Sequence, residues 1–101
     1  MKREIERNDW PAFFETFTLQ HDQWLVSVDG ERDTLPLEGI IARDTQINVH
    51  LGRDISHHRR IVIDAAHVRI EQLGGEDEGL EIESADGHTT RLRLRETPSI
   101  T

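Results

Sequence analysis

All five aromatic residues of this 101-residue chain lie between Trp10 and Trp24. Four of them, Trp10, Phe13, Phe14 and Phe17, stand at i, i+3, i+4 and i+7, the spacing that lines one face of an α-helix. Aromatic side chains carry the largest apolar area per residue, so the rest of the chain has to close over this stripe. The pattern predicts a helix from about Asn8 to Gln20 or His21. Asn8 or Asp9 is placed to cap its free N–H groups, and Pro11 falls in the first turn, where no donor is needed. The charged run ahead of it, residues 1–7, reads as loose, with Ile5 available as an apolar staple.

From Gln23 the period changes to two, with Trp24, Val26 and Val28 on one face of a strand that Asp29-Gly30 ends. A second strand carries Leu35, Leu37 and Ile41 inward, with Pro36 marking a strand start or sheet edge and Ile40-Ile41 breaking the alternation at a bulge. The third is the cleanest, Thr45, Ile47, Val49 and Leu51 alternating with Gln46, Asn48 and His50. After the loop 52–56 comes a strand with Ile61 and Ile63, a break at Asp64-Ala65-Ala66, and a further strand with Val68 and Ile70. Gly74-Gly75 and Glu76 to Gly79 form the next connection.

The last hairpin has to be closed by an odd loop. A two-residue turn at Asp86-Gly87 would set Ile82 opposite Arg91 and Leu80 opposite Arg93, mixing core with solvent. A three-residue loop, Ala85-Asp86-Gly87 with Gly87 at positive φ, sets Ile82 opposite Thr90 and Leu80 opposite Leu92. Glu81 and Glu83 then share the outer face with Arg91 and Arg93, each exposed pair adding about 0.2–1 kcal/mol. One helix and about seven short strands predict an α+β fold, an N-terminal helix packed on a strongly bent antiparallel sheet of 6–7 strands, a roll or small barrel. The length fits a single domain over residues 1–101, with 1–7 and 97–101 frayed.

The segments Trp10-Pro11-Ala12-Phe13-Phe14, His21 to Val26, Leu35 to Ile40 and Leu80 to Gly87 together resemble a bacterial family catalogued as domain of unknown function 5335. The resemblance covers most of the chain and implies a small stand-alone bacterial protein, with no activity, cofactor or catalytic residue attached. At the level of fold, the chain is also similar to Sm-like RNA-binding barrels, which run from an N-terminal helix into bent antiparallel strands. Gly39, Asp44, Asn48 and Leu51 resemble their first motif, which would put Asp44 and Asn48 near a base pocket. Gly39 stands one residue closer to Asp44 than in that motif, and the turn before the last strand has no Ile-Arg-Gly counterpart.

Charge and composition narrow the functional classes. Twelve basic against twenty acidic residues give a formal charge of −8, which opposes phosphate backbones and anionic membranes. No cysteine is present, excluding disulfides, iron–sulfur clusters and thiolate zinc sites. The opening residues lack the apolar run of a signal peptide, and the longest aliphatic run is Ile61-Val62-Ile63, so a cytoplasmic protein outside any membrane is expected.

Chemistry-bearing residues are sparse. If Ile47 faces Ile61, His50 faces His58 on the outer side, a weak metal candidate because structural zinc wants four ligands and only Asp54 offers a third. His57 to Arg60 is the most basic stretch. Glu76 to Glu83 holds five carboxylates in eight residues, enough for an acidic nucleic-acid mimic unless Arg91, Arg93 and Arg95 neutralise it. No serine sits in a nucleophile elbow, and no glycine-rich loop joins a strand to a helix. The expectation is therefore a non-enzymatic protein without a cofactor, bound to a protein partner through the sheet rim or an edge strand, its oligomeric state open. The alternatives are an Sm-like nucleic-acid-binding barrel and an acidic mimic.

Overall fold

The computed structural model describes residues 2–28, 34–52, 58–74 and 76–95. The elements run β1 (Lys2–Ile5), a 3₁₀ turn (Arg7–Asp9), α1 (Trp10–Gln20), β2 (Leu25–Val28), β3 (Thr34–Arg43), β4 (Gln46–Gly52), β5 (His58–Leu73), β6 (Glu76–Ser84) and β7 (Thr89–Arg95). The strand order is β1-β5-β4-β3-β2-β7-β6, and β6 pairs back onto β5. Six strands therefore form a ring, with β1 attached outside it, and every pairing is antiparallel. This is the expected α+β arrangement of one helix on a strongly bent antiparallel sheet.

Two strands make the corners. β3 pairs with β2 through Thr34 to Pro36 and with β4 from Leu37 onward, while β5 pairs with β4 up to Asp64 and with β6 from Ala65. Each corner carries a register shift, between Leu37 and Gly39 and between Ala65 and His67. An extra residue on one strand raises the local twist and lets it leave one sheet for another. Hence Asp64-Ala65-Ala66 does not break the chain into two strands; the expected break is a bend within one long strand.

The aromatic stripe fills the enclosed space. Trp10, Phe14 and Phe17 are buried together with Val26, Leu37, Ile47, Val49, Leu51, Val68, Ile70, Ile82 and Leu92, and Phe13 packs against the cluster from its margin. The Trp10 indole Nε1 donates to Ile5 O at 2.9 Å, so its buried N–H is satisfied and the helix is tied to β1. Asp9 occupies the cap position without a side-chain cap bond, the 3₁₀ turn leading directly into the helix.

Residues 2–5 correct the expectation of a loose start. They pair with β5 from Lys2 opposite Glu71 to Ile5 opposite Val68, on a stretch of β5 that β4 does not reach. Only Ile5 of the four is buried, which is why the segment carries no apolar period to read. The register shift in β3 supplies a second correction. Leu37 and Ile40 both point inward, so Ile41 points outward and is 50% exposed instead of joining the core.

The final hairpin has the deduced register, with Leu80 opposite Leu92, Ile82 opposite Thr90 and Gly87 at φ +90°. The expected turn at Asp29-Gly30, Gly75, the segment 53–57 and the tail from Thr97 lie outside the described residues.

Candidate interaction surface

The second half of β3, all of β4 and the first half of β5 make a three-stranded sheet with one face on the core. Alternation puts Ile47, Val49 and Leu51 inside and Gln46, Asn48 and His50 outside. The pairing registers align the outer residues in three rows: Ile41, Asn48 and Val62 in the centre, Arg43, Gln46 and Asp64 on one side, Gly39, His50 and Arg60 on the other. Ile41 and Val62 are 50% and 45% exposed, and Leu19 on α1 is 77% exposed. Among the described residues these three are the large aliphatic side chains left in water.

They also lie in line. Leu19 and Ile41 line, with Pro11, Thr18 and Ala42, a shallow groove of about 440 Å³ between α1 and β3. An apolar strip thus starts on the helix, crosses the groove to Ile41, passes Asn48 and ends on Val62. Covering three such side chains yields roughly 1 kcal/mol or more each, since about half of each is still wet. The helix also closes the β3 edge that β2 leaves, because Ile40 N donates to Thr18 Oγ1 at 3.1 Å. A hydrogen-bonded edge position resists strand addition there, and the outer face beside it is open to solvent.

The histidine pair sits at the margin of that face. The register differs by two residues from the expected one: Ile47 faces Ile63, His50 faces Arg60, and His58 faces Gly52. His50 and His58 are nevertheless diagonal neighbours, their ring centroids 5.6 Å apart. Glu38, in the β3 bulge, reaches His58 Nε2 at 3.3 Å, a partner the linear sequence does not announce. Among the described residues no three His, Cys, Asp or Glu side chains gather tightly enough to hold a metal ion. Asp54 and His57 lie outside the described residues.

Asp44 and Asn48 occupy different environments. Asp44 is exposed in the two-residue turn between β3 and β4, with φ +52°, whereas Asn48 is half-buried within the ladder between Ile41 and Val62. They share one hairpin, Asp44 in its turn and Asn48 in its second strand.

A separate outer surface is dominated by charge. Glu81 accepts from Lys2 Nζ at 2.8 Å and lies 3.3 Å from Arg69 and 3.6 Å from Arg91. Hydrogen bonding to Lys2, aided by the charges of Lys2, Arg91 and Arg69, holds the Glu81 carboxyl below the usual range against the opposing effect of burial. Glu4 contacts Arg69 and His67, and Glu83 contacts the same two, so β1, β5, β6 and β7 are laced together. The acidic stretch is therefore partly neutralised, by Lys2 and Arg69 as well as the foreseen Arg91; Arg93 stands opposite Gly79 instead.

Comparison with family models, curated proteins and solved structures returned no match. No described helix is long and apolar enough to cross a membrane.

Proposed function

We propose that this is a small non-enzymatic protein of the bacterial cytoplasm that works through protein–protein contact, and that the outer face of β3, β4 and β5 makes the contact. One observation carries the reading: the exposed aliphatic residues Leu19, Ile41 and Val62 lie in line on one side of the molecule instead of being scattered, Leu19 and Ile41 sharing a groove and Asn48 standing between Ile41 and Val62. Isolated exposed aliphatics are ordinary, but a contiguous patch rimmed by polar side chains has the anatomy of an interaction surface. Arg43, Gln46, Asp64, His50 and Arg60 supply such a rim. The resemblance of four sequence segments to the bacterial family of unknown function supports the reading of a small stand-alone bacterial protein.

Ile41→Glu and Val62→Glu test the assignment, because both side chains already face water and their replacement leaves the core intact. Each is expected to abolish capture of the partner from a host extract while the circular dichroism spectrum and melting temperature stay within a few degrees of the parent. Turnover of a defined substrate, lost on one point mutation elsewhere in the chain, would overturn it.

A further inference from the structure

We infer that the occupant of this face is a second copy of the same chain, in a two-fold dimer whose axis runs along the central row Ile41, Asn48, Val62. The inference rests on the preceding assignment of the face and names its partner. Its support is the arrangement of charge around the strip. A two-fold axis along the central row lays each flanking row of one copy over the opposite flanking row of the other. Asp64 then meets Arg60 of the second copy, and Arg60 meets its Asp64. Gln46 meets His50, an amide against a ring nitrogen, and Arg43 comes over Gly39, beside the Thr18 methyl group.

The central row is self-complementary for a different reason. Residues on the axis meet their own copies, so Val62 packs on Val62 and Ile41 on Ile41, while Asn48 meets Asn48. A primary amide is both donor and acceptor, so two of them facing each other pair reciprocally. Leu19, at the helix end of the strip, extends the apolar contact. An isologous interface requires this kind of reciprocity, each patch complementary to itself.

Net charge selects the face. The chain carries −8, so most approaches of one copy to another are repulsive. The nine positions of the three rows carry two arginines and one aspartate, so this face adds no net negative charge to the encounter. Arg60 and Asp64 lie four residues apart on one strand, about 13 Å, too far to pair within a chain. Both are exposed, and neither makes an ion pair among the described residues.

The test is light scattering coupled to gel filtration on the wild-type chain, on Arg60→Asp, on Asp64→Arg and on an equimolar mixture of the two variants. Wild type is expected to run as a dimer. Each variant alone sets like charges against each other twice and should dimerise at least about tenfold more weakly. In the mixture, the aspartate introduced at position 60 of one variant faces the arginine introduced at position 64 of the other. The native Asp64 of the first likewise faces the native Arg60 of the second, so a heterodimer should form where neither variant dimerises alone. A wild-type monomer at every concentration, or a mixture that associates no better than its components, overturns the inference. In either case Ile41→Glu separates the two claims: if it still abolishes capture of a different protein, the face remains a contact surface and only its self-association falls.

Discussion

His21 shows how a single side chain closes the aromatic cluster. It is 4% exposed at the C-terminal end of α1, its ring 4.1 Å from Phe17 and 4.7 Å from Trp24 between centroids. Nδ1 lies 2.8 Å from Phe17 O and donates to it, reinforcing the last helical turn. His21→Ala removes the two ring contacts and the hydrogen bond and should cost about 2 kcal/mol in denaturant unfolding, as buried truncations do. Glu81 acts through charge instead. Its carboxyl is held low in the folded protein, chiefly by the Lys2 hydrogen bond. The stabilisation is therefore complete above the unfolded-state value and disappears as pH falls through the lower folded-state value. Glu81→Gln should lose roughly 0.5–1 kcal/mol at pH 7, with the difference from wild type shrinking as pH falls below the unfolded-state value of Glu81. An unchanged gap at pH 3 would mean that shape, not charge, is what Gln disturbs.

Elements were legible in the sequence wherever an apolar period survives to the surface. The helix declared itself because Trp10, Phe14 and Phe17 all point inward, and β4 because nothing interrupts its alternation. The last hairpin could even be given its register, since parity requires an odd loop to keep Leu80 and Leu92 on one face and Gly87 suits the three-residue form. β1 was invisible because three of its four residues are exposed and its pairing depends on a stretch of β5 left open by β4. The two corners were misread for one shared reason. A bulge shifts parity locally, so Asp64-Ala65-Ala66 looked like a break, and Ile41 looked inward when the bulge at Glu38 had turned it out. The same bulge conceals the exposed aliphatic row in the sequence, because an unbroken alternation along β3 assigns Ile41 to the core.

Close packing between β6 and β7 sets the cost of a single methyl group there. A Cβ on Gly79 would stand 2.6 Å from Leu92 O, a backbone atom that cannot step aside. Gly79→Ala should therefore destabilise by about 2 kcal/mol or more through forced separation of β6 and β7. At Gly87, where the Cβ meets open space and only φ +90° resists it, alanine should cost about 1 kcal/mol. A reversed order in denaturant unfolding would mean that β6 and β7 separate easily.

For the molecule as a whole, closing six strands around one aromatic helix leaves two outer surfaces of different character. Across β1, β5, β6 and β7, Glu4, Glu81 and Glu83 pair with Lys2, Arg69 and Arg91. Across β3, β4 and β5 the exposed side chains are aliphatic in the centre and sparsely charged at the rim. The first surface has its partners within the chain, and the second gains by finding one outside it. The most direct test is to follow backbone amide resonances over a dilution series of the wild-type protein. The amides of 39–43, 46–50 and 60–64 should shift together with concentration, while those of 91–95 stay fixed. Resonances that do not move at any concentration, or movement centred on 91–95, would contradict self-association through this face.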